Sequence, residues 1–95
     1  KRKNINIYNI NNYTNSLYLR FEVKDKPGVL SIITSLLAKK NISVERLIQI
    51  PNHKKKTASI VIITHKSREI DVQNCLRSFS KNRNILKKPT LIRLL

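Results

Sequence analysis

Apolar and polar residues alternate strictly along the first patterned stretch of the chain. Leu17, Leu19, Phe21 and Val23 interleave with Tyr18, Arg20, Glu22 and Lys24. A period of two puts one set on a single face, so residues 17–24 are predicted to form a strand with one buried side. Asp25-Lys26-Pro27-Gly28 stops it, and the period then lengthens. Val29, Ile32, Ile33, Leu36 and Leu37 recur at helical spacing, and Leu30 widens the apolar face. Lys39 and Lys40 lead to Asn41, the residue after Gly best suited to the left-handed position that closes a helix.

A second strand is predicted over about residues 43–50, ending at Pro51-Asn52, and a turn at 53–56 leads into a third over 57–64. That third strand is apolar on both faces, with Ile60 and Ile62 on one side and Val61 and Ile63 on the other. Ser67 is placed to cap a second helix whose apolar positions are Val72, Cys75, Leu76 and Phe79. Pro89 precedes a final strand over 90–94, and a Pro there suits a sheet edge. Residues 1–15 carry no pattern that buries a face. They read as a polar tether, or a short clamp if Ile5, Ile7 and Ile10 dock on a neighbour.

The order is βαβ followed by βαβ. Right-handed crossovers favour a ferredoxin-like α+β fold, βαββαβ, with a four-stranded antiparallel sheet and two helices on one face. Strands one and three are expected at the centre. The second apolar face of strand three implies a cover for the bare side of the sheet.

Ninety-five residues give room for one small domain, expected over residues 16–95. Such a domain buries roughly 60–65% of its unfolded surface, so association with a partner adds stability. There is no Met, which suggests a piece of a longer protein. The single Cys75 cannot form an internal disulfide, which fits a reducing, cytoplasmic setting. The longest apolar run, residues 60–63, is far too short to span a membrane. Lys1-Arg2-Lys3 is not followed by the apolar core of a signal peptide. Cys75 lies among apolar neighbours with no partner base, and His65 has no second ligand spaced for a metal. No catalytic residue and no metal site is expected in this stretch.

Gly28 is the only glycine in the chain, which excludes Gly-rich phosphate loops and collagen-like repeats. It therefore stands out in the loop Asp25-Lys26-Pro27-Gly28-Val29-Leu30. Pro27 suits a helix start, and Gly28 permits close backbone approach or a positive φ. First-turn amides attract an anion such as a carboxylate, and Asp25 can accept from an ammonium group. Together these could grip the two charged ends of a free α-amino acid. A plain strand-to-helix connection is the competing account of the same residues.

The run from Leu19 to Leu30 resembles the opening of an ACT domain, the small-molecule-sensing module of amino-acid metabolism. The likeness continues through Asn41-Ile42-Ser43-Val44-Glu45, Ile48-Gln49, and Ile60-Val61-Ile62-Ile63-Thr64-His65, then Val72 and Leu76. The Thr-His after strand three and the ending Lys88-Pro89-Thr90-Leu91-Ile92-Arg93 resemble more narrowly the C-terminal regulatory domain of bacterial homoserine dehydrogenases. The resemblance covers about residues 17–95, and residues 1–15 then correspond to the linker from a catalytic domain. It implies a parent enzyme that reduces aspartate semialdehyde to homoserine with NAD(P)H, and a fragment that acts as feedback sensor with threonine as effector. It implies side-by-side homodimers, with ligand between Asp25, Lys26, Gly28, Val29 and Leu30 of one copy and Asn41, Ile42, Ser43 and Val44 of another. Many family members carry Asn where this chain has Ser43, a shorter side chain with one polar atom fewer.

Other ACT-bearing proteins, such as stringent-response synthetases and aspartate kinases, are the alternative within the same module class. A basic RNA-binding domain of the same fold is the alternative outside it, invited by the net charge of +15. Such domains stack bases on aromatic residues of strands one and three, and residues 57–64 contain neither an aromatic nor a Gly. The charge is spread over tail, helices, hairpin tip and last strand, and travels with abundant Lys, Asn and Ile, as an AT-biased genome would produce. It is therefore read as background rather than as a nucleic-acid footprint.

Overall fold

A computed structural model describes residues 14–94. The alternating stretch forms β1 (Thr14–Lys24), and the helical spacing after Gly28 forms α1 (Val29–Lys39). An antiparallel hairpin follows, β2 (Val44–Asn52) and β3 (Thr57–Thr64), then a two-residue strand β4 (Ser67–Arg68). The chain ends with α2 (Glu69–Ser78), a 3-10 turn (Phe79–Lys81) and β5 (Thr90–Leu94). The main sheet has the order β2-β3-β1-β5, all antiparallel, so β1 and β3 are central as the alternation demands. This is the ferredoxin-like arrangement, with two helices on one face.

The buried set of β1 (Leu17, Leu19, Phe21, Val23) lies beside Ala58, Ile60, Ile62 and Thr64 of β3. Val29, Ile33 and Leu37 of α1 and Val72 and Cys75 of α2 close over them. Each fully buried Leu, Ile or Phe stabilises the fold by about 1.5–3 kcal/mol. The rings of Phe21 and Phe79 meet edge to face, with centroids 5.1 Å apart and planes at 77°. Val61 is also buried, at 7% exposure, but on the other face of the sheet, beside Arg20 and Ile48.

Three boundaries differ from the sequence pattern. β1 begins at Thr14, before the alternation starts, because Thr14 and Asn15 find backbone partners in Arg68 and Ser67. A tether ending at residue 15 thus overlaps the strand by two residues; residues 1–13, including Ile5, Ile7 and Ile10, lie outside the described residues. β2 starts at Val44 and runs through Pro51, which an edge strand tolerates because no neighbour needs its missing amide hydrogen. Ser67 does not cap α2. Its hydroxyl donates back to the His65 carbonyl at 2.9 Å, and Arg68 occupies the cap position without a side-chain bond to the helix's first amides.

The short β4 resumes along β1 the ladder that β3 leaves. Tyr18 faces Ile63 and Asn15 faces Ser67, so the two residues between them on β1 oppose three on the other segment. The surplus residue is absorbed at His65-Lys66, a bulge that turns the chain into α2. Thr64 is fully buried there, and its hydroxyl accepts the Leu17 amide at 3.1 Å.

Candidate functional site

The loop after β1 is built by its only glycine. Gly28 sits at the start of α1 with φ +88°, the left-handed region that L side chains rarely adopt. Space beside its α-carbon is open: a β-carbon there would meet nothing within 4 Å. Backbone conformation, rather than close packing, is therefore what calls for glycine. The loop is tied down at both ends. The Asp25 amide donates to Lys56 O at 2.9 Å and the Lys24 amide to Asn84 O at 2.8 Å. Val29 N–H turns back to Lys26 O at 3.3 Å, and Ile32 N–H meets Gly28 O at 3.0 Å. Between them, the Leu30 and Ser31 amides take no backbone acceptor among the described residues. Asp25, Lys26 and Gly28 are exposed, Leu30 is half-buried and Val29 is buried in the core.

The other end of α1 closes in the manner its sequence predicts. Asn41 takes φ 58°, its amide donates to Ala38 O at 2.9 Å, and the Ile42 amide donates to Leu37 O at 3.0 Å. Those two bonds and the apolar contact they imply, Ile42 over Leu37, define a Schellman closure. Ile42 is buried, whereas Asn41, Ser43 and Val44 are exposed. Ser43 O accepts the His65 amide at 2.9 Å, which fastens this junction to the end of β3.

One copy does not bring the two halves together. Residues 25–30 and 41–44 flank an 11-residue helix, about 16 Å end to end, and lie at its opposite ends. A ligand touching both needs a second copy, or another chain, to supply one half. Among the described residues β2 is an edge strand, paired only with β3 and exposed along almost its whole length.

Two carboxylates that the sequence did not single out, Glu69 and Glu22, are held by partners. Arg93 of β5 clasps Glu69 of α2, with a second bond at 2.8 Å, and Gln73 donates to the same carboxylate at 3.0 Å. The Arg93 bonds hold the Glu69 carboxyl below its ordinary range, against the opposite effect of burial. On the open sheet face, burial raises Glu22, but the Ser59 hydroxyl at 2.6 Å and Arg20 at 2.8 Å outweigh it and keep the carboxyl low. Burial pushes the Cys75 thiol up, which leaves it protonated and unreactive. Tyr18 is the only aromatic among the described residues of that open face, where β3 presents Ser59, Val61 and Ile63. That is a poor platform for stacked bases. No helix among the described residues is long and apolar enough to cross a membrane.

Comparison with known proteins places the chain. The ACT domain family matches residues 17–82. Homoserine dehydrogenase of Neisseria gonorrhoeae is 40% identical over 81 residues, which is 85% of this chain and 19% of that enzyme. The Bacillus subtilis enzyme of the same name is 36% identical over 64 residues, 66% of this chain and 15% of its own length. Among solved structures, a homoserine dehydrogenase from Thiobacillus denitrificans superposes with a TM-score of 0.79 at 28% identity, over 90% of this chain and 19% of its own. The ACT domain of a Chlorobium tepidum GTP pyrophosphokinase shares the fold, with a TM-score of 0.63 at 16% identity, over 85% of this chain and 99% of its own. The chain thus spans about a fifth or less of the homoserine dehydrogenases it matches. With its glycine-opened loop, its Schellman-closed α1 and its ferredoxin-like sheet, the chain belongs to the ACT domain family.

Proposed function

We propose that this chain is the regulatory ACT domain of a homoserine dehydrogenase, joined through the residues ahead of β1 to a catalytic domain in the cytoplasm. The observation that carries this is the 40% identity to the Neisseria enzyme across 85% of the chain. In this reading the domain senses L-threonine and exerts feedback control over NAD(P)-dependent homoserine formation. With Gly28 its only glycine, the chain has no dinucleotide-binding fingerprint, so in this reading the nucleotide belongs to the catalytic domain.

The effector sits between two copies. Asp25 and Lys26, with the free first-turn amides after Gly28 and the side chains of Val29 and Leu30, supply one half. Asn41, Ile42, Ser43 and Val44 of the other copy supply the second. Separation of these sets at opposite ends of α1 supports a shared site, since neither half alone surrounds a small molecule. A bridging ligand stabilises one arrangement of the pair. A coupling of about 1–3 kcal/mol changes activity roughly 5- to 150-fold when it acts through an active-state population.

Titration calorimetry of the chain with L-threonine tests this, alongside sedimentation to establish the dimer. Saturable heat with no more than one threonine per chain is expected, with tighter dimerisation in its presence. A folded dimer that gives no heat with threonine or related amino acids would end the proposal.

A further inference from the structure

A cavity of about 490 Å³ lies at the end of α1, away from the Gly28 loop, where β4 leads into α2. Lys39, Lys40, Lys66 and Arg68 line it, and Asp71 is its one acidic residue. Asp71 accepts two bonds from Arg68, at 3.0 and 3.1 Å, so those two charges satisfy each other. No ion pair among the described residues involves any of the three lysines. Capping α1 does not occupy them either. Leu37 O already takes the Lys40 and Ile42 amides, and Ala38 O takes the Asn41 amide. The Arg68 bonds are the main reason the Asp71 carboxyl lies below its ordinary range, and Lys40 adds to the effect, so the lysine's field reaches across the cavity.

Three unmatched cations around one concavity repel one another, and an anion seated among them relieves that repulsion. We propose that this cavity binds a small molecule through a phosphate or carboxylate group, held by Lys39, Lys40 and Lys66 with Asn41 at the rim. The site shares Asn41 and Ile42 with the threonine site proposed above but does not rest on that reading. It lies where Thr14 pairs with Arg68, so its occupant touches the start of β1.

The test follows backbone amide shifts of the 15N-labelled chain while inorganic phosphate, or acetate, is added at constant ionic strength. Saturable shifts are expected at Lys40, Asn41, Lys66 and Ser67. Lys66→Glu and Lys40→Gln should each weaken binding at least about tenfold, whereas Lys55→Glu on the hairpin tip should leave it unchanged. All three side chains are exposed, and the variants' own amide spectra report whether the fold is kept. Tighter phosphate identifies a phosphoryl ligand and acetate of equal or greater affinity a carboxylate; either result supports the site. Shifts that fail to saturate, or that spread equally over residues 54–56, overturn it. Threonine titrations of Lys66→Glu keep the two proposals apart, because their heat is expected to match that of the parent chain.

Discussion

Arg93 reaches from β5 to α2 and grips the carboxylate of Glu69, a residue only 7% exposed. The pair bridges 24 residues of sequence and links the last strand to the helix layer. Removing the acid leaves a guanidinium without its partner, while removing the arginine leaves a nearly buried carboxylate with Gln73 alone. Arg93→Ala should therefore be the more harmful change, costing about 1–3 kcal/mol in urea denaturation. Glu69→Gln should cost less, since an amide still accepts from Arg93. Equal stability of Arg93→Ala and the parent would show that the clasp is decorative.

Acid should unfold the domain by way of the same residues. The carboxyls of Glu69, Glu22 and Asp71 all lie below their ordinary values of 4.5, 4.5 and 3.8 in the folded chain. The unfolded chain binds protons more readily, so folding gains from these groups above about pH 4.5 and loses that gain as pH falls through their folded values. Stability measured in urea should be level from about pH 5 to 7 and decline steadily below 4.5. Glu69→Gln should flatten part of that decline.

Gly28 bears on folding through its φ of +88° alone, since the space beside it is open. Gly28→Ala is thus expected to cost about 1–2 kcal/mol of left-handed strain without any clash. For a domain of this size each 1 kcal/mol lowers the melting temperature by roughly 4–8 °C. Gly28→Asn should recover part of the loss, because Asn tolerates the left-handed region. A thermal melt of the two variants decides the order.

The core was legible where one face of an element is covered and the other is not. The alternation of Leu17, Leu19, Phe21 and Val23 marked β1 because helices cover only one side of the sheet. Asn41 announced the end of α1 because few residues accept φ 58°. Ser67 misled, because a hydroxyl before a helix caps it only if the backbone enters extended from the right side. Here the bulge at His65-Lys66 turns that hydroxyl back on the His65 carbonyl. The loop at Gly28 was readable from its own residues. The clasp of Glu69 by Arg93 and the ring of Lys39, Lys40 and Lys66 were not, because each joins segments that only the folded chain brings together.

Cys75 is 1% exposed and packs in the core with Val72 and Phe79. With its thiol pushed up by burial, it should react with a disulfide reagent only when the domain opens. Labelling should be slow at neutral pH and accelerate in parallel with unfolding as urea is added. Phe79→Ala removes the ring that meets Phe21 edge-on, at a cost of about 3–5 kcal/mol, and should expose the thiol at much lower urea. Prompt labelling of the native parent chain would contradict this packing.

Asn41 allows conformation and recognition to be separated at one position. Its backbone closes α1 through the Ile42 bond to Leu37 O, and glycine performs that role at least as well. Asn41→Gly should therefore keep or slightly raise the melting temperature. Its side chain, exposed at the proposed shared site, is what glycine lacks. If that side chain meets threonine, Asn41→Gly yields a stable chain with weakened threonine heat. Asn41→Val should lose stability instead, by about 1–2 kcal/mol, because a β-branched residue resists φ 58°. A stable Asn41→Gly chain that binds threonine as well as the parent would confine Asn41 to shaping the helix end, and would move the recognition of threonine to Ser43 and Val44.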